Sequence, residues 1–206
     1  MGSTLRADVG VALSDLRRTA ARYRWRARVR KVGCLLACLL GAPSGAIAQA
    51  EATVKAAFVF NFVRFTEWPA PRFATRDSPL SLCVWSNDAR LTESMKALAG
   101  RLVDERTVRV ADVDRPDELG KCHALFIADG TPRGSSSAWL RKAESLSVLS
   151  MGDSDGFAAS GGMIGLVSDG PRMRFDINDK AVKRSSLKLG SQLYQLGRSV
   201  VEEAAR

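Results

Sequence analysis

The chain has 206 residues and a formal net charge of +9, enough for one domain with an appendage. The charge is uneven: residues 1–48 carry nine Lys/Arg against two Asp, and residues 49–206 carry 22 Lys/Arg against 20 Asp/Glu. The basic character therefore belongs to a leader, and the remainder has no basic stripe with which to neutralise phosphates, which speaks against a nucleic-acid binder.

The leader reads as a secretory signal. Arg22, Arg24, Arg26, Arg28, Arg30 and Lys31 form its positive region, "VGCLLACLLGAP" its apolar stretch, and Ala46 and Ala48 stand at −3 and −1 of a cleavage site before Gln49. The apolar run is about a dozen residues, short of the ~20 that span a bilayer as a helix. An uncleaved N-terminal anchor stays open as the alternative. No cysteine follows the small-residue site as a lipoprotein would require. Export places residues 49–206 in an oxidising compartment. Cys34 and Cys38 leave with the leader, and Cys83 and Cys122 remain. Two cysteines in one exported domain are expected to be bridged, with a pair of reduced buried thiols as the alternative.

The elements follow in chain order. From Glu51 to Phe65 there is no Pro or Gly, and Val54, Phe58, Phe62 and Phe65 recur at i, i+4, i+8 and i+11. That spacing predicts a helix plugged into the core, although the Phe58/Phe60/Phe62 alternation would also suit a strand. "TEWP" ends it, because the residue before Pro69 is pushed out of the helical region, and Trp68 packs at the exit. "LSLCVWS" (80–86) is a strand, "DARLTESMKALAG" (88–100) a helix closed by Gly100, and "RTVRVADV" (106–113) a strand. "RPDELG" is a helical turn. "HALFIAD" (123–129) is a continuous apolar run, as in a strand buried on both faces. "SSSAWLRKAES" (135–145) is a helix that starts on hydroxyl residues suited to capping, and "LSVLSMGD" (146–153) is a strand. "GGMIGLVSDGPRMRFDIN" (161–178) reads as two strands joined by a turn at Gly170. The last segment, Asp179 to Glu203, is expected to be a long amphipathic helix with Val182, Leu189, Leu193, Leu196 and Val200 on one face.

Alternating strands and helices predict a single three-layer α/β domain: a mainly parallel sheet, an antiparallel edge hairpin and the long C-terminal helix. Cys83 and Cys122 fall on the first and third parallel strands, which are neighbours in doubly wound folds of order 2-1-3. Catalytic chemistry is poorly supported. His123 is the only histidine and has no ligand set at metal spacing. The serines at 135–137 lack a nucleophile-elbow pattern. "GGMIG" precedes a strand, whereas a phosphate loop follows one, and Asp153, Asp155, Asp169, Asp176 and Asp179 are too dispersed for a calcium loop. We therefore expect no enzyme, no metal and no cofactor.

"KAAFVFNFVRFTEWP", "CHALFIAD", "GGMIGLV", "MRFDIN" and "LKLGSQLYQLG" occur in the order and spacing of the YfiR/HmsC-like family, which the chain resembles from about Ala52 to Val200. The positions that carry the likeness are Asn61, Phe62, Phe65, Trp68, Pro69, Gly161, Gly162, Phe175 and Asn178. The resemblance implies a periplasmic protein of a Gram-negative bacterium that represses a membrane-bound diguanylate cyclase by binding its periplasmic region, lowering cyclic-di-GMP and biofilm formation. The partners it implies are that cyclase and an outer-membrane lipoprotein that sequesters the repressor. A homodimer is compatible with it. Cys83 and Cys122 match one of the two cysteine pairs of some members, and the second pair, near GGMI, is absent. The alternative is a periplasmic small-ligand-binding or accessory module for a sensor kinase or outer-membrane receptor.

Overall fold

Strand residues here alternate between two apolar faces, and that alternation organises the fold. The structure, a computed structural model, describes residues 44–131, 133–170 and 172–201. The leader's positive and apolar regions lie outside the described residues, as do the side chains of Ser135 and Ser136 given a capping role above. In β2 (Leu80–Trp85), Leu80, Leu82 and Val84 join one core, while Cys83 joins the other. In β5 (Ala124–Ile127), Ala124 and Phe126 divide from Leu125 and Ile127 in the same way. Period-two alternation of apolar residues on both faces is what a sheet covered on both sides requires.

With β4 (Arg106–Asp112), β6 (Leu149–Gly152) and β7 (Ile164–Asp169), these strands form a parallel run in the order β4-β2-β5-β6-β7. The expected 2-1-3 start of a doubly wound sheet is thus present. β8 (Arg172–Ile177) returns antiparallel beside β7 through a turn containing Gly170, whose φ of +59° suits glycine. One addition escaped the sequence: β3 (Leu102–Val103) pairs antiparallel with β4 at the far edge.

α1 (Ser44–Arg64) begins ahead of the expected helix and buries a different stripe. Ala52, Ala56, Val59, Phe62 and Val63 are buried, Phe58 and Phe65 are half-buried, and Val54 is 42 % exposed. The contact face therefore runs Ala52, Ala56, Val59, Phe62 and Val63, rotated away from Val54. α2 (Ala89–Lys96) is capped by Asp88, whose carboxylate accepts from the amides of Arg90 and Leu91, and it buries Leu91 and Met95 in the same core. On the other face, α3 (Arg133–Ser145) buries Trp139, Leu140 and Ala143, with Trp139 stacked on Trp85 at 4.5 Å.

The single long C-terminal helix is not formed. Asp179–Arg184 is α4, capped by Asn178. Lys188–Leu189 is β9, paired antiparallel with β1 (Thr66–Glu67) in a two-stranded sheet. Ser191–Leu196 is α5, and Ser199–Val200 is β10, parallel to the end of β8. Three residues break the helix. Ser186 takes a φ of +60°, and Gly190 and Gly197 are extended, with ψ of 144° at each. The amides at these breaks find tertiary acceptors: Gly190 donates to the Phe65 carbonyl at 2.8 Å and Arg198 to that of Phe175 at 2.7 Å. Of the expected apolar face, Leu196 is 67 % and Val200 54 % exposed.

Candidate functional site

Sequence signals placed nine residues in one family pattern, and the fold distributes them over three places. Phe62 and Phe175 meet edge-on at 4.8 Å in the core, with Phe58 5.9 Å from Phe62. Phe65 is half-buried beside them, and Asn61 is exposed. Gly161, Gly162 and Asn178 form a second group. Asn178 is fully buried and donates from its amide to the Ala158 carbonyl at 2.9 Å while its oxygen accepts from the Ala181 amide at 3.0 Å. It thereby ties the loop before β7 to α4. Gly161 takes a φ of +105°, and Gly162 lies against the ring of Phe157 with no space for a Cβ. This group is a packing device: glycines admit the Phe157 ring, and the asparagine satisfies the backbone around it.

The third group surrounds Trp68 and Pro69 and opens onto solvent. Pro69 starts a 3-10 turn over Ala70–Arg72. The turn carries Phe73 onto His123, the two rings lying parallel at 4.4 Å. The Arg106 guanidinium covers Phe73, its carbon 3.6 Å from the ring centroid, and donates to the carbonyls of Thr75 at 3.1 Å and Ser78 at 2.7 Å. An arginine–phenylalanine–histidine stack results, a favourable cation–π arrangement. Trp68 stands edge-on to both rings and donates its indole N–H to the His123 carbonyl at 2.8 Å. Arg72 donates to the Cys122 carbonyl.

His123 is held by backbone on both sides. Its Nδ1 accepts from the Ser81 amide at 3.1 Å, and its Nε2 faces the Arg72 carbonyl at 3.0 Å. A carbonyl only accepts, so Nε2 carries the proton and the ring is neutral. Burial pushes its pKa below the ordinary histidine range; a hydrogen bond to the Arg72 carbonyl opposes this, and the nearby cations of Arg72 and Arg106 assist it. With both nitrogens engaged, the chain's sole histidine is a structural pin and is not poised for proton transfer. The disulfide lies just beneath. Cys83 in β2 is joined to Cys122 at the entrance to β5, with Cα atoms 5.8 Å apart and both residues fully buried.

A cleft of about 610 Å³ opens beside this stack. Trp68 and Phe73 give it apolar surface, Arg76 and Arg106 cations, and Glu67 and Asp104 carboxylates. Sequence reasoning found Trp68 and Pro69 but missed Arg72, Phe73 and Arg106, because the stack joins residues far apart along the chain. Among the described residues no group of His, Cys, Asp or Glu could hold a metal ion, and no helix is long and apolar enough to cross a membrane.

A family model described as YfiR/HmsC-like matches residues 52–198. No curated protein matches the chain. Among solved structures, the chain is similar to the ABC domain in complex with L-Trp from Streptococcus pneumonia, at 13% identity and a TM-score of 0.46, covering 60% of this chain and 55% of that one. The chain thus spans about half the length of that protein, and at so low a TM-score nothing passes from it to this chain.

Proposed function

The chain belongs to the YfiR/HmsC-like family, and from that premise we propose that it is a periplasmic regulator that holds a membrane-bound diguanylate cyclase inactive by binding its periplasmic region. One observation carries this reading: the family match runs over residues 52–198 and so takes in every strand from β1 to β9. In this reading residues 1–48 are a secretory signal and Gln49 begins the exported protein. The pinned, neutral His123 favours action through contact surfaces over proton-transfer chemistry. A repressor of this kind binds one conformation of its target better than the other, and its differential affinity sets the shift; moving 1:99 to 99:1 takes ~5.5 kcal/mol. An outer-membrane lipoprotein that sequesters it would release cyclic-di-GMP synthesis.

The test is genetic. Deleting the gene should raise cyclic-di-GMP and surface attachment, and a version lacking residues 1–48, kept in the cytoplasm, should fail to restore repression. Unchanged cyclic-di-GMP in the deletion strain, or full complementation by the cytoplasmic version, would sink the reading. A second reading, a periplasmic ligand-binding accessory module, is favoured by the open cleft at Trp68 and Phe73. It becomes the better account if cyclic-di-GMP does not respond.

A further inference from the structure

On the β8 side the edge of the sheet is incompletely covered. β10 pairs with β8 only at Asp176 and Ile177, so along the outer side of Arg172, Met173 and Arg174 no strand lies among the described residues. The Phe175 and Ile177 carbonyls accept from Arg198 and Val201 on that side. By the two-residue period of a strand, Met173 presents its N–H and C=O in the same outward direction. Unpaired edges of this kind are templates for an added strand.

The two faces flanking this edge differ in chemistry. Met173 and Phe175 lie on the side of α1, packed against the core. There a groove of about 410 Å³, lined also by Arg174 and Gln195, runs from Phe58 past Met173 to Leu196, which is 67 % exposed. The opposite face carries Arg172, Arg174 and Asp176. The Asp176 carboxylate is already taken by Arg198, at 3.0 and 2.5 Å, and by Ser199 at 2.6 Å. Arg172 faces Asp169 across the ladder, but Arg174 faces Val167. The Arg174 Nε is buried and has no hydrogen-bond acceptor among the described residues. A strand laid against β8 would therefore set alternate side chains over an apolar groove and beside unmatched arginine.

We propose that the outer edge of β8 is a strand-addition site for an extended partner segment whose side chains alternate between apolar and acidic. Main-chain bonds to Met173 would hold it, the groove at Phe58 and Leu196 would take its apolar side chains, and Arg174 and Arg172 its carboxylates. The open register is about three residues, roughly 10 Å at 3.3 Å per residue, so the contact is short and reversible. The proposal rests on the repressor reading to the extent that this segment belongs to the regulated target.

The probe is a short fluorescein-labelled peptide alternating Glu and Val, followed by fluorescence polarisation on the full exported protein, with a Lys/Val peptide as control. The Glu/Val peptide should bind at least tenfold more tightly than the control. Met173→Pro removes the outward N–H at an edge position where proline is tolerated, and should weaken binding at least tenfold with the fold intact by circular dichroism. Arg174→Gln and Arg172→Glu should weaken it severalfold and flatten its salt dependence. Equal binding of the two peptides, or binding unmoved by Met173→Pro, overturns the proposal. So does dimerisation abolished by Met173→Pro without peptide binding, which would assign the edge to a second copy. These outcomes are independent of cyclic-di-GMP: a deletion strain with unchanged cyclic-di-GMP defeats the repressor reading and leaves the edge site standing.

Discussion

Phe62→Ala is the sharpest test of how α1 is seated. Phe62 is 1 % exposed and touches the rings of Phe58 and Phe175 at centroid distances of 5.9 and 4.8 Å. Truncating a buried phenylalanine costs about 3–5 kcal/mol, and loss of the edge-on contact with Phe175 places this site in the upper half of that range. For a domain of this size each kcal/mol lowers the melting temperature by roughly 2–4 °C, so a fall of ~8–20 °C is expected. The control is Val54→Ala. The amphipathic spacing puts Val54 on the same face as Phe62, yet it is 42 % exposed, and an exposed substitution stays within about 0.5 kcal/mol. Thermal and urea melts of both variants decide the matter. Equal losses at the two positions, or a loss below ~1 kcal/mol at Phe62, would refute the packing and reinstate the stripe read from spacing.

Three further outcomes are expected. The Cys83–Cys122 bridge spans 39 residues, which the chain-entropy model values at about 4 kcal/mol; unreduced, unfolded protein should titrate no free thiol, and Cys83→Ala/Cys122→Ala should melt much earlier. His123 has a folded pKa below 6.5, so the unfolded chain takes up the proton more readily; its contribution is complete above about pH 6.5 and declines below it, by at most ~1.4 kcal/mol per pH unit. Since His123 is the only histidine, melts between pH 7.5 and 5.5 should show that slope, and His123→Gln should flatten it. Gly162→Ala would drive a Cβ into the Phe157 ring and should cost about 1–3 kcal/mol or more in the urea midpoint, whereas Gly120→Ala, with open space around it, should cost almost nothing.

The parallel sheet was legible because its signals are local. Continuous or alternating apolar runs at β2, β5 and β7 report burial on two faces whatever the strands later pair with. The elements that misled are those whose form is set by tertiary hydrogen bonds. From Val182 to Val200 the leucines repeat at helical spacing, but Gly190 and Gly197 carry the decision. The Gly190 amide is drawn to the distant Phe65 carbonyl; Gly197 closes the last turn of α5 on Leu193 and then runs extended, so that the next amide, Arg198, reaches the distant Phe175 carbonyl, and a glycine at each break lowers helix propensity by ~1 kcal/mol. The same logic governs the site. The family positions stand out in the sequence as a pattern, yet the pattern does not say that Gly162 and Asn178 serve packing while Trp68 serves a surface. That division appears only when Arg106, Phe73 and His123, separated by dozens of residues, stack against one another. The consequence for function is specific. The buried motif residues fix the scaffold, so substitutions there change stability first. The Trp68 loop and the β8 edge are the surfaces on which the two proposals are to be tested by mutation.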